Sequence, residues 1–196
     1  MNETTDPAIL FVKTDKGAGT AFLVSPDGYA ITCNRVIEGA TEITARLRIL
    51  GRPGGSDSFY KCEVVNTKKD YDIALIKLLD GTDFPYLKLA DYNRKIIKGE
   101  ELLLSGYPFG DRTAKDLTTF YGSIASSELQ KDDYGYIRFN IDCQAKCGDS
   151  GAPIIATSDG CVIGILLGSI TNASGQLIEE INHMRPIKYF WEEFLK

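Results

Sequence analysis

Short apolar or alternating runs, broken by Gly, Pro, Asp and Asn, fill most of the chain and predict strands rather than helices. Ala8 to Lys13 and Gly19 to Val24 are two such runs. The second ends at Ser25-Pro26-Asp27-Gly28, where Pro presets the first turn angle and Gly accepts a positive φ. Tyr29 to Cys33 resumes as a strand. Ile43, Ala45, Leu47 and Ile49 then alternate with Thr44, Arg46 and Arg48, the period of a strand with one wet face. Tyr60 to Asn66, Ile73 to Leu79, Glu101 to Ser105, Leu117 to Ser126 and Tyr136 to Asp142 continue the series after their own turns. Ala152 to Thr157, Cys161 to Leu167 and Gln176 to Asn182 complete it. Only the tail differs. Behind Pro186, a residue suited to a first helical turn, Ile187, Phe190, Trp191 and Phe194 recur at helical spacing and predict a helix docked by one face.

Many short strands, regular turns and one terminal helix predict an all-β barrel or sandwich protein. With 196 residues and 43% hydrophobic content the chain is long enough for one large domain or two small ones. The 22 basic and 27 acidic side chains leave a formal charge of −5, which argues against a nucleic-acid binder. No run approaches the length of a membrane helix, and no basic, apolar leader opens the sequence. Five cysteines, an odd number, fit free thiols in a reducing compartment better than a disulfide framework, so a soluble cytoplasmic protein is expected. Cys143 and Cys147 lie close together, but no His or second close Cys pair completes a zinc set, so no metal and no cofactor are expected.

The sharpest chemical signal is Cys147-Gly148-Asp149-Ser150-Gly151-Ala152-Pro153-Ile154. A serine nucleophile needs a tight turn that exposes its hydroxyl, and flanking glycines permit one. The same turn can aim the N–H groups of Gly148 and Ser150 at a single point, an oxyanion hole. On its own, a Gly-Asp-Ser-Gly run also describes a plain surface turn.

Gly148 to Pro153 resembles the Gly-Asp-Ser-Gly-Gly-Pro motif of the chymotrypsin/trypsin clan. Gly17 to Tyr29 is similar to the opening hairpin of bacterial HtrA-type peptidases, and Ile31 to Ala40 to their Leu-Thr-x-x-His-Val-Val block. Tyr71 to Leu78 resembles the block that carries the catalytic Asp, and Ser105 to Gly110 the Gly-x-Pro-Phe-Gly turn of the second barrel. Five blocks in the same order span residues 17 to 155. The resemblance implies two antiparallel β-barrels with a C-terminal α-helix, a single domain over 1–196 divided at 7–90, 98–185 and 186–196. It implies a serine endopeptidase acting on polypeptides, with Ser150 as nucleophile and Asp72 as orienting acid. It places Gln144 at the floor of the first-subsite pocket and Leu166, Leu167 and Gly168 on the strand that pairs with substrate.

Arg35 stands where the resemblance requires the general-base histidine. The attacking hydroxyl must lose its proton to a group with a pKa near working pH. A guanidinium, with a pKa of about 12 or more, offers donors but no acceptor. The chain as written is therefore expected to be inactive or severely impaired, though Arg35 can still pair with Asp72. A natural pseudoprotease that binds peptides without cutting them is the alternative. The only histidine, His183, is expected on the last strand, far from the base position, and Lys146 is expected to be a solvated loop lysine rather than a substitute base. Asp149 has no activation-generated amine to meet, so Lys146, a backbone N–H or an inactive loop state are its options. The length leaves no room for a PDZ module, so regulation is expected from other domains or an activating partner.

Overall fold

The computed structural model describes residues 6–48, 57–110, 117–126, 130–132, 134–171 and 177–195. Six strands follow in the first half: β1 (Ile9–Thr14), β2 (Ala18–Leu23), β3 (Tyr29–Thr32), β4 (Ile43–Arg48), β5 (Asp57–Lys68) and β6 (Ile73–Leu78). They close antiparallel in the order β1-β2-β3-β6-β5-β4, with β4 returning to β1. The second half holds β7 (Glu101–Gly106), β8 (Thr118–Ile124), β9 (Gln130–Lys131), β10 (Ile137–Asp142), β11 (Pro153–Ala156), β12 (Val162–Thr171) and β13 (Leu177–Pro186). Here β13-β12-β11-β7-β8-β10 closes through a β13–β10 pairing, and β9 hangs on the outer edge of β10. The chain is thus two closed six-stranded antiparallel barrels, as the motifs implied. A one-turn helix α1 (Asn34–Ile37) interrupts the first barrel, and α2 (Lys188–Phe194) ends the described chain. Among the described residues no helix is long and apolar enough to cross a membrane.

The turn at Ser25–Gly28 forms as expected. Gly28 has φ +89° and donates to the Ser25 carbonyl at 3.2 Å, while Val24 N–H meets Tyr29 O at 2.8 Å. The barrel strands are buried on both faces: Leu10, Ala21 and Ile76 share one face in the first barrel while Phe22 and Ile31 share the other, and in the second Leu102, Leu104 and Ile154 share a face. The mixed stretch near 80–98 is a strap between barrels. Leu87 N–H bonds Leu23 O at 2.9 Å on one side, and Ala90 N–H bonds Val162 O at 2.9 Å on the other. The indole N–H of Trp191 on α2 reaches the Ala90 carbonyl at 2.9 Å, so the tail helix holds the strap.

One position on the expected wet face of β4 is dry. Arg46 is buried, with its guanidinium 5.1 Å from the Phe11 ring centre and 5.4 Å from that of Tyr107 in the second barrel. Asp57 pairs with it at 3.2 Å. Alternation along β4 reports only the first barrel's own inside and outside. The second barrel docks on the outside and covers it. β5 is also longer than its apolar run, because a register shift at Val65 lets it bend while pairing with both β4 and β6. Pro186 closes β13, so the tail helix starts at Lys188 and buries Tyr189 together with Phe190.

Candidate active site

Three segments meet in the seam between the barrels. α1 follows β3, and its second residue is Arg35. Asp72 caps a 3-10 turn at Lys69–Tyr71 in the left-handed region, φ 55° and ψ 44°, just before β6. That unusual backbone for a non-glycine residue turns its carboxylate onto α1. Asp72 Oδ1 accepts the Arg35 backbone N–H at 2.9 Å, and Oδ2 accepts Nε at 2.6 Å and lies 2.5 Å from Nη2. Both carboxylate oxygens are committed to Arg35. Burial alone would lower the guanidinium's pKa, but its pairing with the Asp72 carboxylate outweighs it, and the value is raised. Arg35 is a permanent cation. Its side chain is still 51% exposed, and among the described residues Nη1 makes no hydrogen bond.

The third segment is the turn that carries Ser150. Gly148 and Gly151 take φ +100° and +90°, values that favour glycine. The Cys147 carbonyl accepts the N–H of Phe109, itself left-handed at φ 63° in the Pro108-Phe109-Gly110 turn. A trans peptide is planar, so the Gly148 N–H of that same unit points away from the Phe109 turn. Among the described residues neither the Gly148 N–H nor the Ser150 N–H meets an acceptor. Thr20, fully buried, clamps the turn from the first barrel. Its N–H bonds Ser150 O at 3.0 Å, its hydroxyl bonds Gly148 O at 2.9 Å, and its Oγ1 accepts Tyr107 N–H at 3.1 Å.

The segments are packed against one another with no slack. A methyl on Gly19 would lie 2.7 Å from Val36 of α1 and 3.1 Å from Ser150 O. A methyl on Gly151 would press on Thr20 O, on Thr32 Oγ1 at 2.5 Å and on Cys33 N at 3.0 Å. Gly151→Ala therefore combines overpacking with a positive φ, and an expected loss of about 2–5 kcal/mol is measurable by urea unfolding. On the other side, a methyl on Gly168 would touch Ser150 Oγ at 3.7 Å, which brings β12 to the hydroxyl. The Leu166 carbonyl accepts Gly151 N–H at 3.0 Å and the Cys33 thiol at 3.2 Å. Leu167 is buried and Gln144 is exposed. Ser150, Gly148, Asp72, Arg35, Leu166 and Gly168 thus converge, while Arg35 makes no hydrogen bond to the Ser150 hydroxyl among the described residues.

Sequence reasoning missed Cys33, Thr20 and Arg185. Burial, and then the Asp72 charge, push the Cys33 thiol well above its ordinary pKa, so it is a neutral donor under the acid. Arg185 reaches across the seam: Nε bonds the Tyr71 carbonyl at 3.0 Å, Nη1 the Ile137 carbonyl at 2.9 Å, and Nη2 pairs with Asp132. Thr20 falls inside a motif block, yet nothing about a lone threonine in a strand foretells three contacts across two barrels.

Two buried ionisable groups flank the site. Asp149 Oδ2 accepts the Lys146 backbone N–H at 2.9 Å, one of the options left open, while Oδ1 is buried with no partner above Gly106. Burial pushes this carboxyl up to about 7. His183 sits on β13 opposite Gly168 and Asn140, with both ring nitrogens unpartnered, and burial followed by Arg138 pulls it down to about 4. It lies nearer the cleft than its place on the last strand suggested, but it makes no bond to Ser150. The signs oppose. Asp149, raised in the fold, costs stability as pH climbs from about 4 to 7, whereas His183, depressed, restores stability from about 4 to 6.5, each by up to about 1.4 kcal/mol per unit. Between pH 4.5 and 6.5 the urea midpoint should therefore be nearly flat. Asp149→Asn should make it rise with pH and His183→Gln should make it fall.

Residues 19–165 match the family described as the trypsin-like peptidase domain. A protein of Pseudomonas savastanoi named as a probable periplasmic serine endoprotease, DegP-like, is 33% identical over 158 residues, covering 80% of this chain and 30% of that protein. A Halomonas elongata protein of the same name is 31% identical, covering 83% and 31%. The chain spans about three-tenths of the length of these curated relatives. Among solved structures, the HtrA-type protease AlgW with a tripeptide superposes with a TM-score of 0.78 at 27% identity, covering 97% of this chain and 60% of that one. The MamO protease domain of Magnetospirillum magneticum superposes with a TM-score of 0.80 over 99% of both chains, and at 18% identity it speaks to fold alone.

These relatives overturn the cytoplasmic expectation, since they are named periplasmic. The inference from cysteines failed for a physical reason. Cys33, Cys143 and Cys161 are buried, and burial raises each thiol's pKa, to about 12 for Cys143. A shielded thiol that stays protonated is slow to oxidise, so an odd number of them does not report the compartment.

Proposed function

The chain belongs to the trypsin-like peptidase family, among relatives named DegP-like, and we propose that it is a serine endopeptidase domain whose hydrolytic step is blocked at Arg35. Ser150 is the nucleophile, Gly148 and Ser150 supply the oxyanion hole, and Asp72 is the acid of the triad. The observation that carries the reading is the spending of both Asp72 oxygens on Arg35, on the helical turn that packs across Gly19 from the Ser150 loop. A triad acid exists to hold an imidazole in the correct tautomer and to stabilise its cation. Here the cation is permanent, and it offers the serine no proton acceptor. Substrate polypeptide would pair with the strand at Leu166–Gly168 and place its first side chain over Gln144, a neutral floor with no bias toward Lys or Arg. The naming of its relatives supports a periplasmic site of action for the domain, and regulation would fall to further domains or an activating partner.

The second reading is a natural pseudoprotease. It is favoured by how completely Arg35 satisfies Asp72, since the substitution leaves no buried charge unpaired. Casein hydrolysis tests the first reading. The chain as written should show no turnover above a Ser150→Ala control, and Arg35→His should show Ser150-dependent cleavage. Brisk cleavage by the unaltered chain would refute the block.

A further inference from the structure

We propose that the cleft, as it stands with Arg35, binds the C-terminal carboxylate of a peptide or protein. The inference rests on the reading of this seam as a peptide-binding cleft and adds the chemical class of its occupant.

The donors are already in place. Arg35 gives Nε and Nη2 to Asp72, and among the described residues Nη1 makes no bond on a half-exposed side chain. Across the seam, the Gly148 and Ser150 N–H groups have no acceptor among the described residues, and the first of them is fixed in direction by the bond from Phe109 N–H to Cys147 O. An internal peptide bond presents one carbonyl oxygen, which two backbone N–H groups satisfy. It offers nothing to a guanidinium. A terminal carboxylate presents two oxygens and a full negative charge. One oxygen fills the place between the Gly148 and Ser150 N–H groups, and the other faces Nη1 and the Ser150 hydroxyl. Charge-assisted bonds of this kind are the strong ones, and arginine is suited to them because its planar fork can serve two carboxylates at once.

The arrangement also explains the direction of the chain in the cleft. With the carboxylate at Ser150, the residues before it run along Leu167 and Gly168, the strand that already reaches the hydroxyl. Nothing is required on the far side, where a longer substrate would continue. A histidine at position 35 would lose this preference at neutral pH, because a neutral imidazole beside a carboxylate provides at most one donor and no charge. Substitution of the base by arginine would thus convert a site that cleaves internal bonds into one that holds chain ends.

The test uses the unaltered protein and defined probes: fluorescein-labelled Ala-Ala-Pro-Xaa tetrapeptides, each as the free acid and as the C-terminal amide, read by fluorescence anisotropy. The free acid is expected to bind about tenfold or more tightly than its amide for the best Xaa, the scale of one charge-assisted hydrogen bond. Arg35→Gln should bring the acid down to the level of the amide, and raised salt should narrow the gap in the unaltered protein. Equal binding of acid and amide overturns the proposal while leaving a peptide-binding cleft. So does an acid preference that survives Arg35→Gln, which would locate the carboxylate elsewhere, and so does failure of every probe to bind. None of these results bears on whether Arg35→His cleaves casein, so the two readings fail separately.

Discussion

Replacing Arg35 by histidine should raise peptide turnover by as much as about 10⁶-fold, the scale on which a subtilisin-type site loses activity when its base is removed. The size follows from what is already built. The Asp72 oxygens that now hold Arg35 Nε and Nη2 would accept an imidazole N–H, and Oδ1 would keep the backbone N–H of position 35, since that bond does not depend on the side chain. The other imidazole nitrogen would face the Ser150 hydroxyl as acceptor. The rate should rise with pH through the imidazole's titration, near 6.5–7. Asp149, held up to about 7 by burial, titrates in the same window, so the profile should be repeated with Asp149→Asn. A rise that survives belongs to the histidine. Stopped assays of Arg35→His, with Ser150→Ala as the zero, supply the measurement.

The largest expected effect on stability lies at Arg185. This side chain is 3% exposed and ends in three bonds, to the Tyr71 carbonyl, the Ile137 carbonyl and the Asp132 carboxylate. Around it, Tyr71 stacks on Tyr136 at 3.9 Å between ring centres and tilts against Tyr189 at 5.0 Å. The Tyr71 hydroxyl donates to Glu193 of α2 at 3.3 Å. Arg185→Met keeps much of the volume but strands Asp132 and two carbonyls, and breaking a buried ion pair from one side costs about 3–5 kcal/mol. Urea unfolding should show that loss. Arg185→Lys should recover only part of it, because an ammonium cannot reach three acceptors in one plane. Tyr71 immediately precedes Asp72, so the same bond fixes the left-handed turn that aims the Asp72 carboxylate at Arg35. In the Arg35→His background, Arg185→Lys should lower kcat more than it raises KM.

What the sequence made legible was local or carried by a motif. The turn at Ser25–Gly28, the strand runs that became β1, β2 and β6, and the meeting of the segments around Asp72, Arg35 and Ser150 all came from neighbours in the chain or from blocks in a recognisable order. What stayed hidden was made by one barrel acting on the other. Arg46 reads as a wet-face residue because its alternation says nothing about Tyr107, which arrives from 61 positions further on to cover it. Arg185 reads as a charge in a strand, and its value comes from a carbonyl in the opposite barrel. α1 is a single turn with no capping side chain, too short for any period to announce it. The unpaired Oδ1 of Asp149 depends on the closeness of Gly106, and the compartment could not be read from thiols that burial protects.

Covalent labelling separates a blocked nucleophile from a competent one most directly. A fluorophosphonate needs only an activated serine and an oxyanion hole, with no substrate preference to satisfy, and intact mass reports the adduct. The unaltered chain should stay unlabelled over hours while Arg35→His takes up one equivalent at Ser150, lost again in Ser150→Ala. Prompt, Ser150-dependent labelling of the unaltered chain would mean that a cation at position 35 does not silence the serine.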